Sequence, residues 1–315
     1  MQPVVSIILP TFNRLAFLRP AIESVFAQTF ADWELVIGDD GSNAETRAYL
    51  HAVQAAPRVT VICSPHTGKP SAVINLALRE ARGKYVAFLD SDDVWLPRKL
   101  ESQIDSLRRH PDRHWSYTKF ALIDASGKPS ARAREWPAPS GWILEKLLRE
   151  ETVIAQPSVL VERELLMRLG AFDEDLVMCY DDELWFRLAA DAQIDGIDQP
   201  LTLVRRHDQH SGSDVIAWRD RRRVFEKALR ESRDGPLDSL LRQLRAKMSA
   251  GLARSQATSG RRREALGTLF SSVPHSWRYP RPWLVAMAAT VYSCAPPALR
   301  SFIRRRRRAL RPSGP

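Results

Sequence analysis

Cysteine is scarce: 315 residues hold only Cys63, Cys179 and Cys294. Their spacing matches no zinc motif, and an odd number does not build a disulfide framework. A reducing compartment follows. No G-x-G-x-x-G follows the first apolar run, which argues against a dinucleotide oxidoreductase. No Gly- and Arg-rich loop opens the chain either, since Leu9–Arg14 offers none. That argues against a sugar nucleotidyltransferase. The start, Met1-Gln2-Pro3-Val4-Val5-Ser6, lacks a basic n-region, so no signal peptide is expected. Long apolar runs are missing too. Trp283–Ala295 is apolar but 13 residues long and is followed by Pro296-Pro297. A bilayer span needs about 20.

What is present is globular: 44% hydrophobic and 27% charged residues. The charge is uneven. Residues 1–200 carry 22 Lys/Arg against 29 Asp/Glu, a net of −7, and residues 201–315 carry 25 against 8, a net of +17. An acidic body with a basic C-terminal arm is expected, the arm facing something anionic.

The most informative stretch is Val86-Ala87-Phe88-Leu89-Asp90-Ser91-Asp92-Asp93. A buried strand ending in three carboxylates is costly, because like charges resist joint ionisation. A divalent cation that prefers oxygen ligands, Mg²⁺ or Mn²⁺, makes such a cluster tolerable. The same residues also fit a solvated acidic turn in which Asp92 or Asp93 caps a helix.

Periodicity predicts strands over Val4–Leu9, Trp33–Ile37, Val59–Cys63 and Tyr85–Leu89. It predicts helices over Leu15–Ala27, Glu45–Gln54, Pro70–Ala81 and Pro97–Arg109. This alternation implies an α/β fold with a parallel sheet. Beyond it, Trp115–Ile123 and Leu201–Arg205 read as strands and Ser126–Ser140 as a loop. Trp142–Leu148, Glu162–Leu169 and the amphipathic Asp181–Ala190 read as helices. Asp214–Ala257 and Gly260–Phe270 are also helical. Ligand crevices in such sheets lie outside the strand C-termini. Pro10-Thr11-Phe12-Asn13-Arg14, Asp39-Asp40-Gly41-Ser42 and Asp90-Ser91-Asp92-Asp93 close three strands. Gly68-Lys69-Pro70-Ser71-Ala72 with Asn75 opens a helix, and Tyr180-Asp181-Asp182-Glu183-Leu184-Trp185 lies further on.

In the stretches SIILPTFNR, SVFAQTFADWELVIGDDGS, ARGKYVAFLDSDDVWLPRKL, GAFDEDL and YDDELWFRLA the chain resembles the inverting family 2 glycosyltransferases of bacterial surface-polysaccharide assembly, over about residues 4–206. The resemblance implies a GT-A fold, a mostly parallel Rossmann-like sheet flanked by helices. Residues 1–212 are then the catalytic domain. Residues 213–315 form a helical, Arg-rich extension with a membrane-surface segment at 277–308, where Arg278, Arg281, Arg300 and Arg304–Arg308 flank the apolar run.

The resemblance also implies roles. Pro10, Thr11, Phe12, Asn13 and Arg14 hold the nucleotide of a nucleotide-sugar donor, with Phe12 stacking on the base. Asp40 accepts from the base, or Asp39 does, with the other structural. Asp90 and Ser91 lie near the ribose or sugar hydroxyls. Asp92 is the metal-binding acid of a D-x-D motif, and Asp93 is a helix cap or a support behind it. Asp181 is the catalytic base; Tyr180 stands where the family has Glu, so a one-residue slip makes Asp182 the base. An acidic first helical turn explains Asp181–Glu183 equally simply. The family often has Arg where this chain has Ile74, so Lys69 is the candidate for that charge at the diphosphate, against a plain exposed lysine, and Asn75 is assigned to binding the donor nucleotide. His207 is a metal or phosphate contact, with His210 a weaker candidate. Trp185 and Phe186 belong to the core. The implied partners are a UDP-sugar, a glycan or lipid-linked acceptor and an anionic membrane, with the protein peripheral on the inner face of the cytoplasmic membrane. Nucleic acid is not expected, because Phe302 is the lone aromatic among the tail arginines. The competing reading is an inactive sugar-nucleotide binder or a scaffold of a membrane assembly complex.

Overall fold

The computed structural model describes residues 2–130, 135–207, 214–232, 235–276 and 280–294. The order is β1 Val5–Thr11, α1 Leu15–Phe26, β2 Trp33–Asp39, α2 Ala44–Gln54, β3 Val59–Cys63, α3 Pro70–Leu78, β4 Tyr85–Phe88, β5 Val94–Trp95, α4 Lys99–Arg109 and β6 Trp115–Ile123. After α5 (Leu144–Leu148) come a 3₁₀ turn, Gln156–Ser158, β7 Val159–Glu162, α6 Arg163–Arg168, α7 Tyr180–Asp191 and β8 Ile194–Arg205. The chain divides into two compact units, Met1–Ser211 and Gly212–Pro315.

In the first unit one eight-stranded sheet runs β3-β2-β1-β4-β7-β6-β8-β5. The β3-β2-β1-β4 half is parallel. Its strands are covered on both faces, which is why they read as unbroken apolar runs rather than alternating ones. The pleat sends Ile7, Leu9, Ala87 and Leu89 into one core with Leu18, Ile22 and Ile104. Ile8, Val36, Val86 and Phe88 enter the other core with Ile74, Leu184 and Trp185.

The second half of the sheet departs from the sequence expectation. The stretch before Glu162 is a strand, β7, antiparallel to both β4 and β6. The last strand begins at Ile194, seven residues earlier than expected, and pairs parallel with β6 through register shifts at Lys119. Its polar start is tolerated because Asp195 is buried against Arg113, His110, Ser140 and Ser106.

The second unit contains α8 Asp214–Ser232, α9 Asp238–Thr258, α10 Arg262–Ser276 and α11 Pro280–Cys294. A small apolar cluster joins Ala250 and Ala253 of α9, Leu269 of α10 and Ala286 of α11, with Trp283 and Met287 against it. Among the described residues no helix is long and apolar enough to cross a membrane. His210, Arg278, Pro296-Pro297, Arg300 and Arg304–Arg308 lie outside the described residues.

Candidate active site

Three strand ends and one helix start build the site. The turn after β1 places Asn13 and Arg14 in succession in the left-handed region, at φ 57° and 56°. Two consecutive non-glycine residues there are rare and mark a turn held by its surroundings. The holding is visible: the Asn13 amide donates to Ser42 Oγ at 2.7 Å, and its side-chain oxygen accepts from the Asn43 amide at 2.8 Å. The turn aims Arg14 at Asp92, with Nη1 2.8 Å from Oδ2. His207 Nε2, just past β8, meets the same oxygen at 2.9 Å. The His207 ring also stacks on Phe17 of α1 at 4.8 Å. Asp92 is therefore the junction of the β1, β4 and β8 ends.

Asp90 lies deeper. Its Oδ1 accepts from Gln156 Nε2 at 2.7 Å. Burial first, then the charges of Asp92 and Asp181, push its carboxyl up to about 8. Asp181 reaches this crevice from the first turn of α7, 91 positions after Asp90 in sequence. Its neighbour Asp182 points about 100° further round the helix. Tyr180 sits beside them. Burial, then Asp90, Asp181 and Asp92, hold its phenol well above the usual range, so it stays protonated. Cys179, in the left-handed conformation at φ 59°, sets the sharp entry to α7. Asp93 does not cap a helix, because α4 starts only at Lys99. Its Oδ1 accepts the Arg205 amide at 2.7 Å, and burial with Asp90 and Asp92 raises its carboxyl. The Arg205 guanidinium in turn donates to the carbonyls of Asp92, Asp124 and Ala125.

A second pocket of contacts surrounds Asp40. Its carboxylate accepts from the Thr67 amide (2.7 Å), Thr67 Oγ1 (2.9 Å) and the Gly68 amide (3.0 Å), and meets His66 Nδ1 at 2.9 Å. His66 stacks on Phe12 at 4.0 Å, its ring only 18° out of parallel. Gly41 lets the His66 backbone come this close: at φ 76°, a Cβ there would sit 2.8 Å from the His66 backbone nitrogen. Asp39 is fully buried and accepts the Ser42 amide within its own turn. Of the two carboxylates, Asp40 is therefore the one at the aromatic pair. Thr11 is also buried, with its hydroxyl unpartnered.

The Asn75 amide donates to Phe172 O and Glu174 Oε1 and accepts the Phe172 amide, so it clamps the loop before α7. Lys69 is exposed and supplies only backbone at the start of α3. Pro10 lies near the end of β1, and Ser91, in the turn after β4, is buried. Trp185 is core, stacked on Trp115 at 6.1 Å, and Phe186 packs against the same core. Gln156 and His66 carry no sequence signal of their own. They enter the site through the 3₁₀ turn and the loop after β3.

Among the described residues no group of three or more His, Cys, Asp or Glu side chains is gathered at metal-holding spacing. The donor set still fits a cation that takes few protein ligands. One carboxylate and one imidazole converge at 2.9 Å beside a carboxyl raised by burial and then by the charges of Asp92 and Asp181. Mg²⁺ and its kin commonly take one or two side chains and complete their shell with phosphate oxygens and water.

The raised Asp90 carboxyl has a measurable consequence. Between its ordinary value of 3.8 and about 8, the folded protein holds a proton that the unfolded chain has released. The folded state binds more protons, so stability falls as pH rises through that window. The thermal midpoint of the metal-free protein should drop between about pH 5 and pH 8. Asp90→Asn, which keeps an acceptor for Gln156, should flatten that fall. An unchanged slope in Asp90→Asn would refute the assignment.

A family model described as Glycosyl transferase family 2 matches residues 6–156. The chain is 30% identical over 195 residues to an Escherichia coli protein named UDP-Glc:alpha-D-GlcNAc-diphosphoundecaprenol beta-1,3-glucosyltransferase WfgD, covering 62% of this chain and 73% of WfgD. It spans 58–73% of the length of four curated relatives that it matches. In fold it is similar to S. aureus TarS 1–349 in complex with UDP-GlcNAc, with a TM-score of 0.62 at 18% identity, covering 93% of this chain and 81% of TarS 1–349. It is also similar to the mannosyltransferase PcManGT from Pyrobaculum calidifontis in complex with GDP-Man and Mn²⁺, with a TM-score of 0.57 at 19% identity, covering 93% and 86%.

Proposed function

We propose that this chain, which belongs to glycosyl transferase family 2 and has the GT-A fold, moves a sugar with inversion from a nucleoside-diphosphate sugar to a hydroxyl of a glycan or lipid-linked acceptor in cell-surface polysaccharide synthesis. The observation that carries this reading is the convergence of Asp90, Asp92 and Asp181 in one crevice, where Arg14 and His207 meet Asp92 and where burial, Asp92 and Asp181 raise the Asp90 carboxyl. A solvated acidic turn would produce no such rise.

The residues divide the work. Phe12 and Asp40 bound the nucleobase slot, and His66 is the ring a base displaces or joins there. The donor bound by TarS and the one named for WfgD favour uridine diphosphate as the carrier. Arg14 is fixed on Asp92 and supplies permanent positive charge where the diphosphate departs. A divalent cation, Mn²⁺ or Mg²⁺, held by Asp92 and His207 would neutralise charge growing on that leaving group. Asp181 takes the proton of the acceptor hydroxyl as its oxygen attacks the anomeric carbon. The bond to the diphosphate oxygen breaks on the opposite face. One displacement with no covalent enzyme intermediate inverts the anomeric centre, and a positioned base of this kind contributes about 10²–10⁴-fold. Tyr180 stays protonated beside Asp181. We assign the work to the peripheral, inner face of the cytoplasmic membrane, where a lipid-linked acceptor is presented.

The test is a panel of nucleotide sugars incubated with the full chain, with Mn²⁺ or Mg²⁺ and then with a chelator, scoring release of nucleoside diphosphate. Release from one donor that the chelator abolishes is expected. If no donor is turned over and calorimetry detects no nucleotide-sugar binding, the reading fails and a scaffold role takes its place.

A further inference from the structure

Helix α11 is built inside out. From Pro282 to Cys294 it has no charged side chain. Its inward side carries Ala286, Thr290 and Ser293, all buried. Both hydroxyls are satisfied by the helix's own carbonyls, Thr290 Oγ1 on Ala286 O at 2.9 Å and Ser293 Oγ on Thr290 O at 2.7 Å. Its outward side carries Leu284, Val285, Ala288 and Val291, and the three larger side chains are 50%, 56% and 62% exposed. Positions i, i+1, i+4 and i+7 form one stripe along a helix. A surface helix normally faces its polar residues to water. Here small polar groups face the protein and branched apolar groups face out. Helix α10 adds Leu266 and Phe270, the latter 73% exposed, one turn apart.

We infer that the outward stripe of α11, with Leu266 and Phe270 of α10, is a docking face for an anionic lipid surface, into whose headgroup region the helix lies flat. At 15 residues α11 is too short to cross a bilayer but long enough to lie in its interface. Charge selects the occupant. Arg281 precedes the stripe, Arg261 precedes α10, and Arg262 and Arg263 open it. The sequence after Cys294 adds seven arginines and no acid, within a region of net +17. A second copy would bring another +17 against the first, whereas anionic headgroups complement it. The inference rests on the membrane location proposed above and names the surface that makes it; its test needs neither donor nor acceptor, so its failure leaves the proposed transfer reaction standing.

The experiment is co-sedimentation of the full chain with vesicles of phosphatidylcholine alone or mixed with phosphatidylglycerol, at low and high salt. Wild type should partition to the phosphatidylglycerol vesicles and weaken with salt. Val285→Glu with Val291→Glu should weaken partition by about tenfold or more, since two carboxylates then enter the interface. Val285→Ser with Val291→Ser, gentler on the fold, should weaken it less but in the same direction. Both pairs replace exposed side chains, so an unchanged melting temperature is expected. Three outcomes overturn the inference: no binding of wild type to either vesicle, equal binding of the glutamate pair, or a wild-type dimer that the glutamate pair dissociates with no effect on vesicle binding.

Discussion

Replacing Asp92 with alanine should cut donor turnover by about 10³-fold while the protein stays folded. Asp92 Oδ2 is shared by Arg14 at 2.8 Å and His207 at 2.9 Å, so this one carboxylate ties together the ends of β1, β4 and β8. Its loss leaves two donors without their acceptor, a cost in a partly buried place. The same loss relieves Asp90, whose carboxyl is raised by burial and then by Asp92 before any other charge. The two effects oppose each other, so the melting temperature should move little. Turnover has no such compensation, because the group that positions Arg14 and would hold the cation is gone. The check is nucleoside diphosphate release in saturating Mn²⁺, beside calorimetry of Mn²⁺ in the presence of the nucleoside diphosphate. Metal binding should vanish and release should collapse together. Turnover within tenfold of wild type would remove Asp92 from the reaction.

The parallel half of the fold was legible because its strands are buried on both faces, and Val5–Leu9 and Tyr85–Leu89 announce themselves as apolar runs. The antiparallel half was not. Val159-Leu160-Val161 is too short to separate from the entry to the helix at Arg163, and only its pairing with β4 and β6 makes it a strand. Ile194–Pro200 reads as polar, because Asp195 is neutralised by Arg113, His110 and two serines that arrive from other elements. The site divides in the same way. Asp90, Asp92, Asp181, Arg14 and His207 sit in residue patterns that carry their chemistry, and the structure brings their side chains to one crevice. Gln156 and His66 have no local pattern; a glutamine in a Pro-containing turn and a histidine in a loop become part of the site only through Asp90 and Asp40. Asn75 shows the converse. Its place in the early part of a helix suited a donor contact, and only the structure shows its amide bonded to Phe172 and Glu174. That clamp still serves the site indirectly, because the loop it holds leads into α7. Arg187 fixes the same loop from the other side, through Glu183 and the carbonyls of Leu169 and Ala171.

Asp181→Asn should lower turnover by about 10²–10⁴-fold and leave donor affinity near wild type. The substitution keeps the shape of the side chain in the first turn of α7, which Cys179 enters in the left-handed conformation. It removes the group proposed to take the acceptor's proton and leaves the Asp92, Arg14 and His207 junction intact. An independent signature separates this from local misfolding. Asp181 is one of the charges that lift the Asp90 carboxyl to about 8, so Asp181→Asn should move the pH-dependent fall in stability to lower pH. A disordered α7 would not produce that ordered shift. Asp182 lies about 100° round the helix, and Asp182→Asn should keep turnover close to wild type. The two variants are compared by product formation under saturating donor and metal, by calorimetry of donor binding and by melting curves across pH. If Asp182→Asn collapses the rate and Asp181→Asn does not, the base is Asp182. If neither does, proton removal is not the task of this helix, and the crevice's carboxylates serve donor binding alone.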